Sequence, residues 1–260
     1  MKSSIKTIIK KLPFSLGVQL LNSDSSTSLF ALNKPEGIKS HPNRPGIDKN
    51  ALIHAPYDLE NECYLCDIPD GQKIKVHLLN RLDSPTSGVI LLCLNSELAL
   101  EIRSLFKNHK IQKTYFAAVR GIPRVRYATW RNSLSSKKQE EKVRTQKGGA
   151  RIAETKFQFI AQNKLLDVAL LKLSPITGFT HQLRVQGALH KHPILGDKTY
   201  GDFTFNKDIH KKTALKRLFL HSFEIFLTYN YLGKEYTFKA HAEMPKEFDD
   251  LMQFGVSSLR

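Results

Sequence analysis

The chain of 260 residues is poor in cysteine, in acidic residues and in long apolar segments. Its three cysteines, Cys63, Cys66 and Cys93, imply no disulfide framework and fit a reducing cytoplasm. Cys63 and Cys66 have the spacing of half a zinc site, but no second pair completes it, so we expect no metal. No apolar run approaches the roughly 18 residues of a membrane span. We therefore expect neither a disulfide scaffold nor an integral membrane protein.

What the chain has in excess is positive charge. Lys and Arg number 40 against 24 Asp and Glu, which gives a formal net charge of +16. This excess favours a polyanionic partner, either nucleic acid or an anionic membrane surface. The membrane alternative needs a basic amphipathic helix. Hydrophobic residues make up 41% of the chain, enough for a folded core.

The hydrophobic pattern predicts strands interrupted by a few helices. Leu98, Ile102, Leu105 and Phe106 form the apolar stripe of one helix, which Asn95 or Ser96 can cap. A second helix is expected near residues 179–189. The other apolar segments read as strands, at residues 29–33, 73–79, 89–94, 113–119, 152–160, 165–173, 223–227 and 235–240. No repeat or linker is visible, so we expect a peripheral segment over residues 1–28 and one domain over 29–260.

Residues 124–147 are strongly basic, with eight Lys and Arg against two Glu. Few apolar residues occur among them. We expect either a solvated surface loop or a mobile loop that contacts phosphates, because each neutralised phosphate releases counterions.

The segment Asn80-Arg81-Leu82-Asp83-Ser84-Pro85-Thr86-Ser87-Gly88 precedes the apolar run 89–92. Pro85 and Gly88 indicate a turn before a buried strand, so Asp83 lies on a short constrained loop. A carboxylate held in this way suits catalysis. The alternative is an Asp that only caps the turn.

Three further segments accompany this loop in a fixed order. They are Asn33-Lys34-Pro35-Glu36-Gly37, Lys113-Thr114-Tyr115, and Thr180-His181-Gln182-Leu183-Arg184-Val185 with its continuation at residues 192–201. Together with Arg81-Leu82-Asp83, they resemble the motifs of the RluA-type pseudouridine synthases. The resemblance implies that the enzyme isomerises uridine in rRNA or tRNA without a cofactor or metal.

The same resemblance assigns roles to individual residues. Asp83 is the implied nucleophile, Tyr115 stacks on the target uracil, and Arg184 pairs with Asp83 and lowers its pKa. Arg81 fills the space that a flipped base leaves, and Leu183 forms a pocket wall. The other implied RNA-binding residues are Lys34, Thr86 and Lys113.

The implied fold class is α+β, with a mixed, largely antiparallel sheet, flanking helices and a basic cleft. We expect a cytoplasmic monomer. Asn80, Phe179 and Gln186 depart from the family pattern, which motivates the alternative of a catalytically impaired RNA-binding relative. A glycoside-type hydrolase would need a second catalytic carboxylate, and no such carboxylate stands out in the motifs.

Overall fold

The computed structural model describes residues 5–44, 46–69, 71–139, 142–149 and 151–255. The helices are α1 (Ile5–Lys10), α2 (Ser96–Lys107), α3 (Gln182–Leu189), α4 (Phe203–Thr213) and α5 (Lys246–Gln253). The strands are β1 (Gln19–Ser23), β2 (Leu29–Lys34), β3 (Tyr57–Asp58), β4 (Cys63–Asp67), β5 (Lys73–Leu78), β6 (Ser87–Cys93), β7 (Gln112–Arg120), β8 (Tyr127–Gln139), β9 (Lys142–Lys147), β10 (Arg151–Asn163), β11 (Val168–Pro175), β12 (Leu220–Tyr231) and β13 (Lys234–His241). Strands with a smaller number of helices confirm the predicted α+β class.

The chain divides into two compact units. The first unit comprises Met1–Ile111 and Glu224–Ala242, and the second comprises Gln112–Phe223 and Glu243–Arg260. Within the part of the chain that the structure describes, no helix is long and apolar enough to cross a membrane. The prediction of one catalytic domain from residue 29 onward stays a prediction.

In the first unit, β2 pairs along its whole length with residues 88–93 of β6, and the two strands are buried on both faces. Leu29 and Val89 belong to a core that α2, β12 and β13 also line. Phe30 and Ile90 belong to a second core, which receives side chains from α1, β4 and β5. Successive strand residues point to opposite faces, so a strand covered on both sides needs a continuous apolar run. This burial explains the run at residues 89–92.

The amino-terminal residues take part in this unit. Ile5 and Ile9 of α1 are buried in the second core, and β1 pairs with β2. The peripheral role expected for residues 1–28 stays a prediction, although these contacts join the segment to the strand that leads into Lys34.

The second unit contains five strands in the order β7-β11-β10-β8-β9, and each of these pairings is antiparallel. Leu183 of α3 lines the core on one face of β7 and β11. Side chains of α4 and α5 line the core on the other face. The predicted hairpin at residues 152–173 is confirmed as β10 and β11.

Residues 124–147 are not the surface loop that their charge suggested. They contain β8 and β9, which form a hairpin from the pair Leu134–Lys147 to the pair Gln139–Lys142. Glu140 and Glu141, which follow Gln139 in the sequence, lie outside the described residues. The loop prediction is wrong because pairing between strands can order a segment that has few apolar side chains. Contact of this hairpin with phosphates stays a prediction.

Candidate active site

The loop that carries Asp83 is tied to the first unit on both sides of that residue. The Leu82 N–H donates to Ser40 Oγ at 2.9 Å, and Ser40 Oγ lies 2.8 Å from the Leu82 carbonyl oxygen. The Thr86 N–H donates to the Asp83 carbonyl oxygen at 3.0 Å and closes a tight turn. Asp83 itself is half-buried. Its backbone is thus fixed immediately before and after the carboxylate.

The buried side chain of Lys34 binds the same loop. Its side chain is 0% exposed, and its ammonium group donates to the carbonyl oxygens of Pro35, Ile38 and Ser84 at 2.9, 2.8 and 3.1 Å. The Gly37 N–H also donates to the Ser84 carbonyl oxygen, and Gly37 has a φ of +86° that suits glycine. The first motif therefore fastens the Asp83 loop. The predicted RNA contact of Lys34 stays a prediction, as does that of Thr86, which is also buried.

Arg81 is exposed and lies beside a histidine. Its Nη1 is 3.4 Å from His41 Nε2, while His41 Nδ1 lies 2.7 Å from the Pro42 carbonyl oxygen. His41 stacks on Tyr57 with ring centroids 4.8 Å apart. Burial lowers the pKa of His41, and the positive charge of Arg81 lowers it further. A neutral His41 that donates from Nδ1 can accept the hydrogen bond from Arg81 at Nε2.

In the second unit, Tyr115 and Lys113 lie on the same face of β7, two residues apart. Tyr115 is half-buried and packs against the core that includes the buried Leu183. Lys113 Nζ donates to the Thr177 carbonyl oxygen at 3.2 Å. Burial lowers the pKa of Lys113 to about 8, so its charge is sensitive to mildly alkaline pH.

The third motif forms the turn before α3 and the first part of the helix. Gln182 organises the turn, because its Oε1 accepts from the Phe179 N–H and from Thr177 Oγ1. Its Nε2 donates to the Glu154 carbonyl oxygen of β10. His181 adopts a left-handed conformation, with φ of 56°, at the start of α3. These bonds fix the direction in which α3 leaves the sheet.

Arg184 of α3 makes a buried bidentate ion pair with Asp197. Arg184 Nε and Nη2 donate to the two carboxylate oxygens at 2.7 and 2.8 Å, and Asp197 is 1% exposed. Asp197 Oδ1 also accepts from the N–H groups of Thr199 and Tyr200. Burial alone would raise the pKa of Asp197, but the hydrogen bonds and charge of Arg184 bring it below its usual value. The guanidinium also lies 5.2 Å from the Tyr200 ring centroid.

Asp197 is a site residue whose role sequence reasoning missed. It lies 13 residues after Arg184, beyond the reach of helical spacing, so no periodicity pointed to the pair. Its place in the segment His192-Pro193-Ile194-Leu195-Gly196-Asp197 was the available signal.

The three departures from the family pattern have defined structural surroundings. Asn80 Oδ1 accepts from the Leu91 N–H at 2.7 Å. Gln186 is 0% exposed; its Nε2 donates to the carbonyl oxygens of Trp130 and Ala153, which lie on β8 and β10. The guanidinium of Arg151 lies 5.1 Å from the Phe179 ring centroid, so a cation is present beside this position. Among the described residues, no cluster of His, Cys, Asp and Glu could hold a metal ion.

Comparison with known proteins agrees with these motifs. A family model described as RNA pseudouridylate synthase matches residues 28–189. A tRNA pseudouridine synthase C of Vibrio cholerae serotype O1 is 32% identical over 222 residues, covering 82% of this chain and 86% of its own. A ribosomal large subunit pseudouridine synthase C of Haemophilus influenzae is 33% identical, covering 82% of this chain and 62% of its own. The solved structure of human RNA Pseudouridylate Synthase Domain Containing 4 has a similar fold, with a TM-score of 0.64, 23% identity, and coverage of 96% of this chain and 94% of its own.

Proposed function

Because the chain belongs to the RNA pseudouridylate synthase family, we propose that it converts a uridine of tRNA or rRNA to pseudouridine with Asp83 as the nucleophile. The assignment of Asp83 as the nucleophile rests on the hydrogen bonds that hold its loop on both sides of this residue. A nucleophile must be held close to its productive geometry by groups that are themselves fixed. Lys34 and Ser40 supply such groups on either side of Asp83.

The reaction breaks the C1′–N1 glycosidic bond, rotates the uracil and joins C5 to C1′. The proton on C5 leaves and N1 gains one, so atoms and electrons balance without a redox partner. An ionised Asp83 can attack either C1′ of the ribose or C6 of the uracil. In both cases the covalent bond to Asp83 forms and breaks within one turnover.

The remaining site residues have roles in the same proposal. A uridine in a stem must leave the stack at a cost of a few kcal/mol. Arg81, which is exposed, takes the vacated space, and Tyr115 stacks on the flipped uracil beside an apolar wall at Leu183. Arg184, which Asp197 holds in place, supplies a positive charge to the active site. Lys113 contacts the RNA backbone, Thr86 supports the turn, and Lys34 positions the loop.

The proposed substrate, tRNA or rRNA, is taken from the relatives, whose names include both tRNA and ribosomal RNA enzymes. The net charge of +16 suits an RNA partner. We place the protein in the cytoplasm, since its three cysteines are free thiols, and expect it to act as a monomer. The alternative of an impaired RNA-binding relative has less support, because Asn80 and Gln186 make hydrogen bonds of their own and Arg151 lies over Phe179.

The test is to incubate the protein with unmodified tRNA and rRNA transcripts and to map pseudouridine with a reagent that marks it. We expect one or a few sites in the wild type. Asp83→Asn should lower turnover by about a thousand-fold or more while RNA binding remains. The control is Asp67→Asn, an exposed carboxylate on β4, which should behave as wild type. Near-normal turnover by Asp83→Asn would exclude Asp83 as the nucleophile.

A further inference from the structure

A pocket of about 180 Å³ lies beside α4 in the second unit. Its walls are apolar and include Leu195, Ile209, Leu215 and Phe219. Phe203 also lines it, at the first position of α4, and is 64% exposed. An exposed aromatic ring at the mouth of an apolar pocket offers a face on which a flat group can stack.

The pocket is preformed, because hydrogen bonds fix α4 and the turn at Gly196. Asp202 caps α4 by accepting from the Phe205 N–H at 2.9 Å. Asn206 Oδ1 accepts from the Gly196 N–H at 3.0 Å, and its Nδ2 donates to the Asp197 carbonyl oxygen. Gly196 has a φ of +72°, and a Cβ there would meet the Arg217 carbonyl oxygen at 1.7 Å. Only glycine allows the chain segments around the pocket to pack so closely.

The lining residues carry positive charge toward solvent. Lys198, Lys207 and Lys216 line the pocket and are exposed, and His210 lies among them. The carboxylate in the lining belongs to Asp197, which is buried and bound by Arg184. Two nearby acids are also engaged, because Asp208 of α4 pairs with Lys212 at 2.8 Å and Asp202, the cap of α4, pairs with Arg120. The pocket therefore presents an excess of cations to an incoming ligand.

We infer that this pocket binds one unpaired nucleotide of the substrate RNA, with the base stacked on Phe203 and the adjoining phosphates on Lys207 and Lys216. This inference rests on the proposed function, because it requires RNA as the substrate. Aromatic stacking combined with cationic side chains is the usual way in which proteins bind single-stranded nucleic acid. The volume lies below the roughly 300–1,000 Å³ of sites for drug-sized ligands, which suits a single base.

The contact would select RNAs that carry an unpaired nucleotide at a fixed place relative to the target uridine. Stacking accepts every base, since each base has a flat face. The pocket therefore contributes recognition of RNA shape more than of base identity, and removal of the stacking ring should change affinity and KM.

The main experiment compares variants on the RNA in which the wild type forms pseudouridine. Phe203→Ala should weaken RNA affinity roughly five-fold to a hundred-fold, and Phe203→Tyr should restore most of it. Changing Lys207 and Lys216 together to Ala should make the slope of log affinity against log salt shallower by roughly 0.7–0.9 for each phosphate that is no longer neutralised. Photo-crosslinking with 4-thiouridine RNA should label a peptide that contains Phe203.

Two control variants test whether the loss of any surface lysine or any exposed apolar side chain weakens RNA binding. Lys164→Ala removes the same charge from the exposed turn between β10 and β11, at a residue that does not line the pocket. Leu100→Ala removes a side chain of α2 that is 67% exposed, in the first unit. Both should bind RNA as the wild type does. Thermal melts of Phe203→Ala should match the wild type, because the ring is mostly exposed.

Some results would overturn the inference while leaving the proposed function intact. RNA affinity of Phe203→Ala and of the double lysine variant equal to wild type would mean that the pocket takes no nucleotide. A decrease confined to kcat would also contradict it, because stacking outside the reacting uridine acts on binding. Absence of pseudouridine in every RNA with the wild type would instead defeat the proposed function, and a crosslink at Phe203 would still report the pocket.

Discussion

The buried ammonium group of Lys34 donates a hydrogen bond to the carbonyl oxygen of Ser84, the residue that follows Asp83. Two carbonyl oxygens of its own segment, those of Pro35 and Ile38, accept from the same group. One cation thus joins two chain segments that are 50 residues apart. The position of the Asp83 carboxylate depends on a residue that has no exposed surface.

Replacing Lys34 with Met should therefore affect both stability and turnover. Carbonyl oxygens left without a donor cost about 1–3 kcal/mol each, so we expect the free energy of unfolding to fall by about 2–4 kcal/mol. Turnover at a temperature where the variant is folded should fall by about a hundred-fold, because a shift of about 1 Å in a catalytic group costs that much. Denaturant unfolding and single-turnover kinetics measure the two effects.

Lys39→Met is the matched control, since Lys39 is partly exposed and pairs with Asp48 at 2.7 Å. It should change the unfolding free energy by no more than about 1 kcal/mol. Equal behaviour of the two variants would contradict the positioning role of Lys34.

The Arg184–Asp197 pair predicts a specific decrease of stability in acid. The folded-state pKa of Asp197 is lowered, so its contribution to stability is present above the unfolded value near 3.9 and disappears as pH falls through the folded value. Asp197→Asn should lower the free energy of unfolding at pH 7 by about 3–5 kcal/mol, because it leaves a buried guanidinium without its counter-charge. Melting temperatures from about pH 2.5 to 7 should show a weaker acid dependence in the variant.

Asp208→Asn serves as its comparison, because Asp208 forms an exposed pair with Lys212. That change should cost about 0.5 kcal/mol or less. A cost for Asp197→Asn as small as this would show that the pair adds little to stability.

Lys113 should make RNA binding depend on alkaline pH. With a pKa of about 8, its side chain gives up half its charge near pH 8, whereas an unperturbed lysine does so near 10.4. Affinity for RNA should fall as pH rises through about 8, and the salt slope should become shallower by roughly 0.7–0.9. Lys113→Arg should keep its charge and remove this dependence. The same fall in the Arg variant would assign the titration to another group.

Two variants of Tyr115 distinguish stacking by its ring from proton transfer by its hydroxyl group. Base stacking on an aromatic ring is worth roughly 1–3 kcal/mol, so Tyr115→Ala should reduce kcat/KM about five-fold to a hundred-fold. Tyr115→Phe keeps the ring and should cost far less. If Phe proves as harmful as Ala, the hydroxyl group takes part in proton transfer from C5.

The elements that were predicted correctly have local signals. Helix α2 shows an apolar stripe, and Asn95, one of the two residues predicted as its cap, accepts from the Leu98 N–H. Helix α4, which the structure describes in full, escaped prediction because it has no such stripe and Ile209 is its one buried residue. The β8–β9 hairpin escaped because its order comes from strand pairing, which charge composition does not reveal.

In the site, too, the features with a local sequence signal were predicted and those that depend on long-range contacts were not. The motif positions of Asp83 and Arg184 are visible in the sequence, because they lie in short characteristic segments. Lys34 binds three carbonyl groups, and Arg184 binds Asp197. Both sets of contacts join segments that only the fold brings together. The sequence also suggested an RNA contact for Lys34, whereas its burial became apparent only in the structure.

The first unit is built from two stretches of chain, with residues 112–223 between them. Leu98 and Ile102 of α2 share a core with Ile225 and Phe238, which are synthesised much later. At about 5–20 residues per second, a ribosome takes roughly 6–22 s to make the intervening residues. During that interval the apolar face of α2 lacks the side chains of β12 and β13, so the core of the first unit is complete only after residues 224–242 have been synthesised.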